Sequence, residues 1–468
     1  MNNEKITLAD ALEFVVDNRG KTVPTTEKGF PLIATNCISN DNLYPSFLNV
    51  RYVSTDTYNN WFRSHPLPDD IIITNKGSQN GAVCFVPNPV TFCIAQDMVA
   101  LRAKRDLIYP KFLFAALRSQ EVQNQIKNLN VDGVIPHFKK TDFNKLKLPN
   151  PCYKNQKIIG DFYFNFCEKI NLNNQINQTL ESIAQALFKS WFIDFNPVRA
   201  KIVAKQEGND PELAAMYAIS GKSEVELEQM SEGDFAELQA TAAFFPDELV
   251  ESELGEVPKG WEILDIDKTT SLIIDHRGKT PKKLGADWSD SGVTALSAKH
   301  IKNGCIVNRE QLRFVDTELY NKWMKEELKE GDILLTSEGP MGEMYYLAFD
   351  EKYCLSQRLY ALRANTDLVS SAFLYFWFLS PFAKSDMNGR ATGTTVVGIR
   401  QSELRKVKVL TPSKSICDLF HQKVTANLKQ IALNNNESVN LAQIRNTLLP
   451  KLLSGELDVS SLEEIIHV

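Results

Sequence analysis

Ala100-Leu101-Arg102-Ala103 and Ala361-Leu362-Arg363-Ala364 are the same four residues, 261 positions apart. The offset holds on both sides of the match. Cys93 and Gln96 pair with Cys354 and Gln357, and Phe112-Leu113 with Phe373-Leu374. Lys145 and Lys147 pair with Lys406 and Lys408, and Pro151 with Pro412. Leu172-Asn173-Asn174 pairs with Leu433-Asn434-Asn435, and Leu180 with Leu441. A single gap-free offset over such a span implies duplication of one unit. Upstream the offset shifts slightly: Asp70-Ile71-Ile72-Ile73-Thr74 recurs as Asp332-Ile333-Leu334-Leu335-Thr336, and Asp17-Asn18-Arg19-Gly20-Lys21-Thr22 as Asp275-His276-Arg277-Gly278-Lys279-Thr280. Gly77 and Gly81 follow the first aliphatic run, Gly339 and Gly342 the second.

Each copy reads as mixed α and β. Short aliphatic runs followed by a glycine loop and another apolar run predict strand, loop, strand. Tyr109 to Lys127 and Leu368 to Met387 carry helical spacing. After Pro151 the spacing becomes 4, 3, 4, 3 through Ile159, Tyr163, Phe166, Ile170, Asn173, Asn177, Leu180, Ala184, Leu187 and Trp191. The second copy repeats it through Phe420, Val424, Asn427, Ile431, Asn434, Ser438, Leu441, Arg445, Leu448 and Leu452. Such seams belong to coiled coils, and their polar middle residues fix register at some cost in stability. The expected fold class is therefore mixed α/β. Two duplicated globular domains are joined by two long helices, each spanning about 55 Å, paired antiparallel with pseudo-twofold symmetry and asparagine layers facing each other.

The formal charge of −6 argues against a polyanion partner at first sight. Residues 196–256, however, hold four basic residues against fourteen acids, so the rest of the chain carries a surplus of four positive charges. The eight cysteines are scattered without a Cys-x-x-Cys pair, the pattern of reduced thiols in a cytoplasmic protein. The polar start Met1-Asn2-Asn3-Glu4-Lys5 predicts no secretory signal, and no run is long enough for a membrane helix. No P-loop and no dinucleotide fingerprint occur. Asn88-Pro89-Val90 and Asn196-Pro197-Val198 match an amino-methyltransferase motif only in part, and Glu327-Leu328-Lys329 has a nuclease-like spacing of a kind that arises often by chance. A binding module is expected, with no catalytic residue, bound cofactor or metal of its own.

Glu181-Ser182-Ile183-Ala184-Gln185-Ala186-Leu187-Phe188-Lys189-Ser190-Trp191-Phe192-Ile193-Asp194-Phe195, continued by Asn196-Pro197-Val198-Arg199-Ala200-Lys201, resembles the central conserved region of type I restriction–modification specificity subunits. Glu253-Leu254-Gly255-Glu256-Val257-Pro258-Lys259-Gly260-Trp261 resembles the start of their second recognition domain, and Gln443 through Leu457 their distal conserved region. The first domain departs from the pattern, because it begins at Ile6-Thr7-Leu8 without a Leu-Gly-x-Val-Pro-x-x-Trp run. The resemblance implies target-recognition domains at 1–150 and 257–412, a central helix at 151–195, an acidic linker at 196–256 and a distal helix at 413–468. It further implies double-stranded DNA and two modification subunits as partners, joined in restriction by a motor–nuclease subunit. S-adenosylmethionine, ATP and Mg are expected in those partners, and adenine methylation is their chemistry.

DNA contacts are expected in the polar loops. In the first copy these are Arg19, Lys21, Lys76, Ser78, Gln79, Asn80, Lys139 and Lys140. In the second they are Arg277, Lys279, Lys282, Lys283, Lys299, Arg390, Thr392, Thr394 and Arg400. Arg and Lys grip phosphates or guanine edges, and Asn and Gln read adenine. Two readers with different loops predict an asymmetric target of two half-sites.

Overall fold

A computed structural model describes residues 5–18, 20, 22–129, 138–393 and 395–459. It divides into two units, residues 1–175 with 436–468, and residues 176–435. In the first unit, strands Leu12–Val16, Met98–Ala103, Ile71–Thr74 and Val83–Phe85 lie side by side as an antiparallel sheet. Side chains alternate across a strand. Ile71 and Ile73 therefore face one core with Phe85, Val99 and Leu101, while Ile72 faces another with Cys84, Met98 and Ala100. Burial of both faces is why this stretch is a continuous aliphatic run rather than an alternating one.

The second unit repeats the arrangement with Thr270–Asp275, Leu359–Ala364, Ile333–Thr336 and Met344–Tyr346. The register is also repeated. Ile71 faces Leu101 as Ile333 faces Leu362, and Thr74 faces Met98 as Thr336 faces Leu359. Even the slip between Leu12 and Phe14 recurs between Thr270 and Leu272. Each unit adds a three-stranded sheet, with Phe30–Ile33 central in the first and Val293–Leu296 in the second, and a two-stranded ribbon, Lys5–Thr7 with Lys147–Pro149 and Glu262–Asp265 with Lys408–Thr411.

A buried ion pair explains two of the repeated residues. Asp70 accepts from Arg102 Nε and Nη2, both at 3.0 Å, and Asp332 from Arg363 Nε and Nη2, both at 2.8 Å. Each carboxylate also takes a backbone N–H three residues upstream, from Leu67 at 2.8 Å and Lys329 at 2.9 Å. The fork geometry satisfies both oxygens and fixes the strand end. The equivalent Cys93 and Cys354 thiols sit in the same place in each core, where burial pushes both up to about 12.

The helices expected over 109–127 and 368–387 are each divided by a serine. Pro110–Arg118 ends at Ser119, which caps Gln120–Asn128, and Ser371–Leu379 ends at Ser380, which caps Pro381–Arg390. Both serines are extended at ψ near 150° and accept a backbone N–H from the following helix. That is the conformation an N-cap favours, and it overrides the continuous apolar spacing.

The two long helices are Tyr153–Phe192 and Lys414–Ser454. They pair antiparallel within each unit. In the first unit Asn173 Nδ2 donates to Glu437 Oε2 (2.7 Å) and Ser438 Oγ (3.2 Å), and Arg445 Nη1 donates to Cys167 Sγ (3.2 Å) with its guanidinium over the Tyr163 ring. In the second unit Asn434 Nδ2 donates to Asn177 Oδ1 (2.8 Å), and Phe188 and Trp191 pack on Phe420. Because Asn173 and Asn177 correspond to Asn434 and Ser438, the two polar contacts are one pair with the copies exchanged. The ends differ. Arg445, Tyr163 and Cys167 of the first unit correspond to Ala184, Val424 and Leu428 of the second, all buried in an apolar cluster.

Residues 196–256 are largely helical. Helices Asn196–Glu207, Pro211–Ser220, Glu224–Glu228 and Glu232–Ala243 lead to a hairpin of Leu249–Ser252 and Gly255–Pro258. Ala215, Met216, Leu227 and Ala242 form a small core. Ser223 and Glu226 form a capping box at the start of Glu224–Glu228. The buried Lys201 ammonium donates to Glu212 Oε1 and to the Phe245 carbonyl, each at 2.8 Å. The acidic surplus thus clothes a packed helical segment.

Candidate nucleic-acid interface

In the first unit the strand Ile71–Thr74 runs into a loop turned by Gly77 (φ +92°) and Gly81 (φ +87°), conformations that disfavour a side chain. Thr74 Oγ1 bonds the Gln79 carbonyl and accepts from Ala82 N at 3.0 Å, closing the turn. Phe138 N donates to the Asn75 carbonyl (2.9 Å) and to Asn80 Oδ1 (3.3 Å). This fastens Lys139 and Lys140 beside Lys76, Ser78, Gln79 and Asn80. Six expected contact residues therefore form one patch, all exposed except the half-buried Asn80. Arg19 and Lys21 lie outside the described residues.

The second unit builds the same frame. Thr336 Oγ1 accepts from Glu343 N (2.9 Å), Gly339 and Gly342 have φ of +62° and +87°, and Ile399 N donates to the Ser337 carbonyl (2.9 Å). Arg400 stands where the first unit has Lys139, exposed beside the glycine loop. Next to this frame is an open cleft of about 670 Å³. Of the expected contact residues Lys279, Lys282 and Lys299 line it, joined by Arg313 and Arg358, which were not among them. Asp287 is the one carboxylate in the lining and Glu338 pairs with Arg358 from its edge, so a cationic surplus remains and the cleft favours an anion. Arg313 lies over the Trp288 ring, 5.2 Å from its centre, and Lys299 Nζ donates to Gln311 Oε1 at 3.0 Å. Polar amides at Gln311 and Gln357 and the flat Trp288 give this wall hydrogen-bonding and stacking groups as well as charge.

Other expected residues are held elsewhere. Arg277 is forked onto Asp275 (2.9 and 2.8 Å) and stacked on Tyr360; its burial opposes, and the Asp275 bond outweighs, leaving its pKa raised. Arg390 binds Asp386 at 2.7 Å, and Lys283 binds the Gly278 carbonyl at 2.7 Å. Thr392 exchanges two backbone bonds with Gly398. Thr394 lies outside the described residues. Among the described residues no cluster of three or more His, Cys, Asp or Glu is placed to hold a metal ion, and no helix is long and apolar enough to cross a membrane.

Duplicated loop frames on matched sheets, with a basic cleft beside one of them, define a duplicated binding protein with an anion-favouring surface. The family model described as "Type I restriction modification DNA specificity domain" matches residues 2–182 and 258–443, and the chain belongs to that family. It is a specificity subunit of a type I restriction system and is not itself an enzyme. Among its relatives is the type I restriction enzyme HindI specificity subunit of Haemophilus influenzae, 31% identical over 405 residues, covering 83% of this chain and 86% of the relative. The MjaIX specificity subunit of Methanocaldococcus jannaschii is 22% identical over 401 residues, covering 84% and 79%. A crystal structure of the type I restriction–modification S subunit from M. genitalium shares the fold with a TM-score of 0.55 at 15% identity, over 97% of each chain.

Proposed function

We propose that this subunit reads a bipartite, asymmetric DNA target, one half-site through residues 1–150 and the other through 257–412. In this reading the regions 151–195 and 413–468 act as a spacer and, with 196–256, carry two adenine-modification subunits. S-adenosylmethionine belongs to those subunits, ATP and Mg to a motor–nuclease partner, and the complex works in the cytoplasm. In this reading a pseudo-twofold arrangement of the copies is expected to put the half-sites on one face of the duplex, about one helical turn apart.

The observation that carries the proposal is the same loop frame bearing different side chains, polar in the first unit and apolar in the second. Ser78-Gln79-Asn80 occupies the turn in the first unit and Pro340-Met341 in the second, between glycines of like φ. A shared frame with exchanged side chains suits two readers of different sequences. Replacing residues 1–150 with the corresponding domain of a relative should change one half-site and leave the other intact. Methylome sequencing reads the half-sites and size-exclusion chromatography the assembly. An assembled chimaera in which both half-sites change, or neither, contradicts two independent readers. The purified chain without modification subunits should neither bind S-adenosylmethionine nor methylate DNA.

A further inference from the structure

Equivalent positions in the two frames carry opposite charges. Position 76 is Lys and its equivalent 338 is Glu, while position 97 is Asp and its equivalent 358 is Arg. The backbone brings these positions together in both units: Asn75 N donates to the Asp97 carbonyl (3.1 Å) as Ser337 N donates to the Arg358 carbonyl (2.8 Å). The second copy has therefore inverted the charge pair at the edge of its loop.

Arg358 is unusual in three further ways. Its φ is +69°, a left-handed backbone that a long side chain rarely adopts, whereas Asp97 is not among the positive-φ residues. Its side chain is half exposed at the rim of the basic cleft, with Nε 3.0 Å from Glu338 Oε1. A Cβ on Gly339 would come within 3.0 Å of Arg358 Nη1, so the glycine leaves room for the guanidinium. Strained, held and exposed side chains of this kind concentrate at functional sites. The Glu338 contact takes Nε and sets the plane of the fork, and Gln357 lines the cleft beside it. A planar, oriented fork matches O6 and N7 of guanine, whereas a phosphate contact requires only charge.

We propose, resting on the DNA-reading function above, that Arg358 is a base-reading residue of the second unit and recognises a guanine in its half-site, with Glu338 as its positioning residue. The test uses the full chain assembled with its modification subunits on a plasmid library of random sequence, with methylation read by sequencing. Arg358→Lys keeps the charge and loses the fork. It should lower the preference for guanine at one position of one half-site by about 5- to 150-fold and leave the other half-site unchanged. Arg358→Gly suits the left-handed backbone, so it should relax the same position without lowering the melting temperature, which separates lost reading from misfolding. Glu338→Gln should weaken that preference in the same direction. An unchanged motif in Arg358→Lys, or loss of discrimination at a base other than guanine, would overturn the assignment. If the parental complex methylates no bipartite motif, the DNA-reading proposal falls together with it.

Discussion

Replacing Asp332 by Asn should destabilise the second unit selectively. The Asp332 carboxylate is 1% exposed and holds Arg363, 23% exposed, by two bonds of 2.8 Å. Breaking one side of a fully buried pair costs about 3–5 kcal/mol. Arg363 reaches some water and also donates to the Glu327 carbonyl at 2.8 Å, which lowers the expected cost to about 2–3 kcal/mol. In a unit of this size each kcal/mol moves the melting temperature by about 2–4 °C, so the unit should melt about 4–12 °C lower. Calorimetry of the full chain, with limited proteolysis identifying which unit opens, makes the measurement. Asp70→Asn should produce the corresponding loss in the first unit. Asp332→Asn combined with Arg363→Met should recover part of the loss, because no stranded charge remains. A parental melting profile for Asp332→Asn would refute the view that the repeated Asp–Arg pair fastens the sheet.

Three further outcomes are expected. Inserting one heptad into both long helices at the unit boundary should widen the gap between half-sites by about 10 Å, near three base pairs at about 3.4 Å each. Methylome sequencing reads the gap, and an unchanged gap in an active complex would show that the helices do not set it. Lys139→Glu with Lys140→Glu should weaken DNA binding and flatten its salt dependence by about two phosphate contacts, measured by titration at several salt concentrations, while chromatography shows intact assembly. Stability of the second unit should fall as pH drops from about 7 through 6.5. Burial lowers the pKa of His276, His300 and His421, so the unfolded chain takes up protons first and is favoured in acid. At His300 the Ser297 N–H already points at Nδ1 (3.0 Å), leaving no room for a second proton there. Thermal melts between pH 5 and 8 test this. His276→Asn, which places there the residue the first unit has at position 18, should reduce the slope.

The duplication was legible because selection on a buried strand is strict. Asp70, Arg102 and the Ile71–Ile73 run recur since a pair and a register must be met together, and the helix seam recurs since its residues meet every turn. The asparagine layer was readable for the same reason. Ser119 and Ser380 were not seen as breaks, because a cap depends on one residue's backbone while the apolar spacing runs on through it. The small core within residues 196–256 was not legible, because their acidic surplus is carried largely by exposed side chains and says nothing of Ala215, Met216, Leu227 and Ala242 beneath. Arg313 and Arg358 were missed because they lie on strands and strand ends, far in sequence from the loops they meet. One signal was available: Gln96 and Gln357 match across the copies, and the very next residues, Asp97 and Arg358, reverse charge.

Arg445 has a consequence for heredity. Its guanidinium needs Tyr163 and Cys167, whereas the corresponding seam of the other unit offers Val424 and Leu428 around Ala184. A gene conversion that copied the distal helix onto the central one would bury an arginine among aliphatic groups. A crossover near codon 175 would instead pair a foreign 163 and 167 with the resident 445. The early and final stretches of the coding sequence, hundreds of codons apart, are therefore inherited successfully only as a matched set. Exchange of reading heads is compatible with that linkage when the breakpoint falls before codon 153, leaving both partners of the arginine with their own allele.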